Sequence, residues 1–253
     1  MPISWRLKSQ LKYFSFFAIF VAIAVAALIF FLRPAPICTD GKLNQHEEQI
    51  DCGGECEACI GNPSELVTNW VRFFEVAPGR YEAGAYVENP NLVLGLPSLK
   101  YQIDLYSLQN NIIASAQGIT FANPREKFLI YEPNLVTLKK IPARAIVRFL
   151  DLKWKKLDSK KPELFVSRNE FTDDLDGGKL RSIIENQSLF PIQNISLSAI
   201  LYDNNGNAVG VSISNLVEIN GEEKANAYFT WRQKFNPTPQ TYEVIARVNL
   251  FQK

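Results

Sequence analysis

The sequence contains one histidine, one methionine and almost no net charge. Its 253 residues hold 27 Lys and Arg against 26 Asp and Glu. This balance argues against general nucleic-acid binding, which needs a basic surface to displace counterions. A single histidine, His46, gives little material for a Ser-His-Asp or Cys-His catalytic arrangement. We therefore expect a protein that is not an enzyme and has no nucleic-acid partner.

One long apolar run lies near the N-terminus. It spans Tyr13–Leu32, and Ser15 and the Tyr13 hydroxyl are its only clearly polar groups. A helix of this length spans roughly 30 Å, the thickness of the hydrocarbon core of a bilayer. Three cations lie in residues 1–12, so the positive-inside rule places that tail in the cytoplasm and the bulk of the chain outside. The sequence predicts a single-pass protein of the cell membrane.

An uncleaved anchor has two alternatives. A cleaved signal peptide normally has a shorter apolar region that ends at small residues, whereas this run ends in bulky Phe30, Phe31 and Leu32. A lipid-modified Cys38 would need a small residue before the thiol, and Ile37 stands there. Both comparisons favour the anchor.

All four cysteines fall within 22 residues, at Cys38, Cys52, Cys56 and Cys59. Such clustering just outside a membrane favours two disulfides, and three connectivities remain open. A segment this short buries little core, so cross-links would act by restricting its unfolded state. Zinc held by the thiolates, with His46 as a further candidate ligand, is the alternative.

The same segment offers hard oxygen ligands at short intervals. Calcium selects such oxygens, and Asp40-Gly41 and Gly53-Gly54 allow tight turns of the backbone between them. An acidic loop that is simply solvated is the other interpretation. The candidate calcium ligands are Asp40, Asn44, Glu47 and Asp51.

The run C-x-D-G-x-x-N-x-x-E-x-x-x-D-C-G-G-x-C-x-x-C resembles a short cysteine-rich module that recurs in secreted and surface proteins. The resemblance covers residues 38–59 and implies extracellular placement. It transfers no activity to this chain.

From Pro63 onward, short apolar runs alternate with polar residues and are separated by turn residues, which is typical of β-sandwiches. We predict a cysteine-rich segment over 33–62, then sandwiches over 63–157 and 158–253. Predicted strands include Tyr81–Val87, Leu99–Tyr106, Ile195–Tyr202 and Ala208–Ser212. Six aromatics are expected in the sandwich cores, with a carbohydrate-stacking surface as the alternative: Trp70, Phe73, Phe74, Phe165, Phe171 and Trp231.

The two halves share a pattern. Glu88-Asn89 and Glu185-Asn186 are 97 positions apart, and Leu105-Tyr106 and Leu201-Tyr202 are 96 apart. A near-constant offset of this size predicts an internal repeat of a whole domain.

The second half resembles the FxLYD family of extracytoplasmic sandwich domains over Ala199–Asp203, with Ala199 where the family has Phe. The first half is similar to the late-embryogenesis-abundant (water-stress) sandwich over Val87–Asn91 and Ile103–Tyr106. Both families imply an immunoglobulin-like fold of seven strands, and neither is catalytic as a rule.

These observations predict an all-β protein with two tandem immunoglobulin-like sandwiches after a transmembrane helix and a disulfide-rich segment. The expected function is non-catalytic interaction or envelope assembly outside the membrane, with a protein or an envelope polymer as partner. The alternative is a calcium-responsive sensor or stalk, and no other cofactor is expected.

Overall fold

The computed structural model describes residues 5–31, 38–44, 46–56, 59–157, 161–174, 177–232 and 234–252. The chain forms two compact units, one ending at Cys59 and the other beginning at Ile60. The first unit contains the only helix among the described residues, and the second contains all the named strands.

The helix α1 spans Trp5–Phe31 and therefore begins before the predicted span. Within it, Gln10–Leu28 is long and apolar enough to cross a membrane. The side chains of residues 10–28 are exposed in the chain by itself, as expected for a surface that lipid would cover. A membrane anchor and a secretion signal both need such a helix near the N-terminus. Leu32, the last residue of the predicted span, lies outside the described residues.

The second unit consists of antiparallel strands. The bounds are β1 Val67–Ala77, β2 Arg80–Asn89, β3 Leu94–Tyr106, β4 Ile112–Ala122, β5 Glu126–Val136, β6 Arg144–Leu150, β7 Lys155–Lys156, β8 Leu164–Asp174, β9 Gly177–Asn186, β10 Ile192–Tyr202, β11 Ala208–Ile219, β12 Lys224–Thr230 and β13 Thr241–Arg247.

Four sheets follow from the strand pairing, two in each half. The first half has the sheets β1-β2-β5 and β4-β3-β6, and the second half has β12-β9-β8 and β11-β10-β13. The prediction of an all-β fold with two sandwiches is confirmed. Six long strands form each sandwich, rather than the seven that the family resemblance implied. The short β7 pairs with the start of β3.

Each sandwich has its own apolar core between its two sheets. Alternate residues of the central strands supply the core, such as Ile103 and Leu105 of β3 and Leu197 and Leu201 of β10. This is the period of two that the sequence predicted. Of the six aromatics expected in these cores, Phe73, Phe171 and Trp231 lie there.

The other three aromatics are placed differently from the prediction. Phe165 is 53% exposed, because β8 is an edge strand and this residue lies on its outer face. Trp70 and Phe74 pack between the two sandwiches. Since β1 carries apolar residues on both faces, it lacks clean alternation, and it was not predicted as a strand.

Asn89 and Asn186 occupy the same place in the two sandwiches, at the end of the second strand. Both side chains are fully buried. Each side-chain amide donates to backbone carbonyls of neighbouring segments, including those of Asn123 and Asn220, at 2.8 and 3.0 Å. Each side-chain oxygen accepts the backbone N–H two residues further on. These bonds satisfy carbonyls where strands end, where no ladder partner is available.

A third apolar layer, here called the interface layer, lies between the two sandwiches. The outer face of the sheet β1-β2-β5 packs there against the outer face of β11-β10-β13. A Cβ added to Gly84 would lie 3.2 Å from Val211, so the glycine permits close approach of the sheets. The members are Leu129, Ile200, Ala208 and Val211, which are buried, with Trp70, Phe74, Tyr86, Tyr131, Tyr202 and Ile245 around them.

Polar contacts cross the same interface. The hydroxyls of Tyr86 and Tyr202 both donate to the Glu243 carboxylate, at 2.7 Å each. Burial, followed by this bond and the charge of the carboxylate, raises the pKa of both phenols well above its ordinary value. The two tyrosines therefore stay protonated and act as donors at physiological pH.

Arg247 of β13 is buried against the first sandwich. Its guanidinium lies 3.1 Å from the Glu126 carboxylate, donates to the carbonyl of Phe121 and stacks 3.8 Å from the centroid of the Phe121 ring. Burial lowers the pKa of Arg247 to about 10, and Glu126 acts in the opposite direction. The group stays charged at neutral pH, so this ion pair fixes the register of one sandwich on the other.

We predict that Ile200→Ala destabilises both sandwiches together. Ile200 is fully buried in the interface layer, and truncating such a side chain costs about 2–5 kcal/mol in transfer and cavity terms. Chemical denaturation followed by tryptophan fluorescence should show one transition, shifted to lower denaturant. The matched control is Val217→Ala on β11, where the side chain is 84% exposed and the midpoint should hardly move. A wild-type curve with two separate transitions would contradict this view of the interface layer.

Candidate functional site

The cysteine-rich segment contains two disulfides, Cys38–Cys56 and Cys52–Cys59. The prediction that all four cysteines pair is confirmed, and the structure selects one of the three connectivities. Since no described cysteine is free, the alternative of zinc held by thiolates is wrong. His46 lies between Cys38 and Cys52 in the chain, and its side chain is exposed.

The four candidate calcium ligands lie together and hold the loop by hydrogen bonds. Asp51 accepts the Gly41 N–H at 3.0 Å, and Asp40 accepts the Asn44 side-chain amide at 2.8 Å. Glu47 accepts the backbone N–H groups of Asn44 and Asp51 at 3.2 Å. Among the described residues, no group of three or more His, Cys, Asp or Glu side chains is arranged to hold a metal ion. Calcium binding remains a prediction.

Gly54 is required for this loop to close. Its φ is +60°, and an added Cβ would lie 2.4 Å from the carbonyl oxygen of His46. Only glycine fits both the left-handed conformation and this contact. The Gly53-Gly54 pair therefore has a structural role, in agreement with the tight turn expected there.

The calcium prediction is tested by Asp51→Ala. If Asp51 binds calcium, the substitution should lower the melting temperature more in calcium than in chelator, because the ion stabilises only a chain with an intact site. The measurement is a thermal melt of the non-reduced protein in both media. Equal decreases of the melting temperature in the two media would show that Asp51 only accepts the Gly41 N–H. The control is Glu65→Ala, which removes an exposed acid outside the cysteine-rich segment.

A cleft of about 680 Å³ opens at the junction of the two sandwiches. Residues of β1, β2 and β5 form one side, and residues of β11 and the segment after β12 form the other. Its charged groups are Arg80, Glu82 and Arg232, and its hydroxyl groups are those of Tyr131, Ser212 and Thr230. The aromatic side chains of Phe74, Trp231 and Phe235 contribute to the lining.

Glu82 and Tyr131 form a hydrogen-bonded pair on the first-sandwich side of the cleft. Burial raises the pKa of Glu82, whereas the bond from Tyr131 and the charge of Arg232 lower it less strongly. Burial, with the charge of Glu82 and this bond, raises the pKa of Tyr131. The carboxylate is thus partly desolvated, with a donor and a cation close to it.

The second-sandwich side of the cleft is held by aromatic packing. Trp231 and Phe235 meet edge to face, with ring centroids 6.0 Å apart. The indole N–H of Trp231 donates to the Val211 carbonyl at 2.9 Å, which ties the segment after β12 to β11. The backbone N–H of Phe235 donates to the carboxylate of Asp173 at 3.2 Å. These contacts hold this side of the cleft in place.

Sequence reasoning did not find the cleft. Arg80 and Glu82 lie in the first sandwich, and Arg232 is about 150 positions later in the second, so only the packing of the sandwiches brings them together. One local feature of the cleft is visible in the sequence, the two cations Arg232 and Lys234 beside Trp231. This group of residues matches no recognised motif.

Comparison with known proteins gives no family. No family model matches the chain, and no curated protein matches it. The resemblance to the FxLYD and water-stress families therefore remains a prediction from the motifs.

The raised pKa of Glu82 predicts a pH-dependent effect of Glu82→Gln. A carboxyl with a higher pKa in the folded state binds more protons when folded, so the free energy of unfolding decreases as pH rises from the ordinary value of 4.5 through the folded value. Gln cannot ionise but can still accept from Tyr131. The variant should therefore gain stability relative to wild type as pH rises through this window.

Urea denaturation at a series of pH values measures this difference. Glu65→Gln makes the same change of charge at an exposed position and serves as the control. A difference between Glu82→Gln and wild type that stays constant with pH would show that Glu82 is not desolvated in the cleft.

Proposed function

We propose that this chain is a membrane-anchored, non-catalytic interaction protein that acts outside the membrane and binds a protein or envelope polymer in the cleft between its sandwiches. The apolar helix and the two disulfides fit a membrane-anchored extracellular protein. The positive-inside pattern supports a cytoplasmic N-terminus.

The proposal rests on the interface layer and on the cleft beside it. Two sandwiches joined by buried apolar residues and by the Glu126–Arg247 ion pair form a fixed arrangement. A cleft at such a junction is preorganised, so a partner does not have to order it on binding. Sites of this kind commonly lie where two domains meet.

The lining of the cleft suits binding. Arg80 and Arg232 outnumber the single carboxylate of Glu82, which favours a partner with anionic groups beside apolar ones. Glu82 already accepts from Tyr131, and the only histidine of the chain lies in the other unit. These features support a binding role over catalysis.

The two sandwiches contain the same arrangement of three polar residues, which supports an internal repeat. The trio Asn89, Asn123 and Glu126 has its counterpart in Asn186, Asn220 and Glu223, each 97 positions later. In both trios the first asparagine donates to the backbone of the second, whose side chain donates to the glutamate. We infer that one sandwich is a copy of the other.

Site-specific photo-crosslinking tests the proposal. The photoreactive residue p-benzoylphenylalanine replaces Ile213, which lines the cleft and is half exposed, in the full-length chain in its native membrane. Irradiation should give an adduct of defined size, and Arg232→Glu should remove it by reversing the charge of the cleft.

Val217 is the matched control position. It lies on the same strand and the same face as Ile213, about 13 Å away, and does not line the cleft. Equal adducts from both positions, or none from Ile213, would overturn the cleft as the binding site. Protease added outside sealed membranes should degrade residues 60–253 and spare a tag placed before Met1; the opposite pattern would overturn the proposed orientation.

A further inference from the structure

A basic and apolar surface, here called the basic tip, lies at one end of the first sandwich. It consists of the β1–β2 turn (77–80), the β3–β4 turn (107–111) and the β5–β6 loop (137–144). The three segments are tied together: the Thr137 N–H donates to the Gly79 carbonyl, the Ala143 N–H donates to the Tyr106 carbonyl, and Arg144 donates to the side chain of Asn110.

Three aliphatic side chains stand out from the basic tip into solvent. Leu108 is 87% exposed, Leu138 83% and Ile141 79%. They come from two separate loops and protrude singly, unlike the flat apolar patches of protein interfaces. Four cations accompany them, at Arg80, Lys139, Lys140 and Arg144, and the three segments contain no acid.

The turn that presents Leu138 is strained. Leu138 and Lys139 are its two central residues, both left-handed with φ of 51° and 68°, and the Lys140 N–H donates to the Thr137 carbonyl at 3.0 Å. Asn and Gly are the residues that such a turn favours. Asn or Gly at these two positions would therefore stabilise the turn more than Leu138 and Lys139 do.

The second sandwich provides an internal comparison. Its β10–β11 turn has the same hydrogen bonds as the β3–β4 turn, with Asp203 in the place of Ser107 and Gly206 in the place of Asn110. The position of Leu108 is there taken by Asn204. An exposed leucine is thus not required to form this turn.

We propose that the basic tip docks on the surface of an anionic bilayer. Singly protruding aliphatic side chains need no complementary pockets to enter a fluid acyl layer, and the surrounding cations pair with lipid phosphates. This surface adjoins the cleft of the proposed function and shares Arg80 with it.

The test is capture of vesicles by the full-length chain in neutral phosphatidylcholine nanodiscs. Fluorescent phosphatidylcholine vesicles are offered with or without phosphatidylglycerol, and bound lipid is measured by flotation. Wild type should capture only the anionic vesicles. Lys139→Gln with Lys140→Gln should weaken capture roughly 30-fold, since each cation contributes about a five-fold effect.

The decisive variant is Leu138→Asn with Ile141→Asn. Asn suits the left-handed position of Leu138, so the melting temperature should not fall, yet capture should drop by about tenfold or more. The matched control, Leu189→Asn with Phe190→Asn, removes two side chains that are each 75% exposed on the second sandwich, and capture should be unchanged.

Three results would overturn the proposal. Capture of no anionic vesicles by wild type would mean that the basic tip binds a surface other than an anionic bilayer, for example an acidic protein. Loss of capture in the lysine variant alone would indicate a surface that binds polyanions without insertion of the aliphatic side chains. Equal losses in the tip variant and its control would indicate non-specific apolar adsorption.

Discussion

The burial of the outer face of one sheet against the outer face of another is the constraint on which the second unit depends. Within a single sandwich, a sheet needs apolar residues on one face only. Here β10 is buried on both faces, with Leu201 in its own core and Ile200 in the interface layer. The two sandwiches thereby form one compact unit, and the position of the cleft follows from the way their outer faces meet.

The same burial sets the polar chemistry of the unit. Arg247 is buried and Glu243 is partly buried, and a charge removed from water without a partner costs several kcal/mol. The two tyrosine hydroxyls serve Glu243, and Glu126 serves Arg247. These partners come from both sandwiches, so the polar contacts specify the register while the apolar contacts supply the larger part of the stability. The partly desolvated state of Glu82 in the cleft has the same origin.

Particular residues show where sequence reasoning succeeded and where it did not. The sequence predicts most of β3 and β10, because their inward residues alternate with polar ones. β1 was missed because its two apolar faces conceal the alternation. At equivalent outer positions the first sandwich has Asp104, which pairs with Arg148 at 2.6 Å, and the second has Ile200. That difference is a signal in the sequence for the buried outer face of β11-β10-β13.

The sequence by itself determined the elements whose causes are local. An apolar run of bilayer length, a cysteine cluster and alternation of period two each follow from neighbouring residues, so the helix, the cross-linked segment and the sandwiches could be predicted. Only the tertiary structure decided the disulfide pairing, the interface layer, the cleft and the basic tip. Each depends on which distant segments come together, as Arg80 and Arg232 do in lining one cleft. No local pattern encodes the distance between residues far apart in the chain.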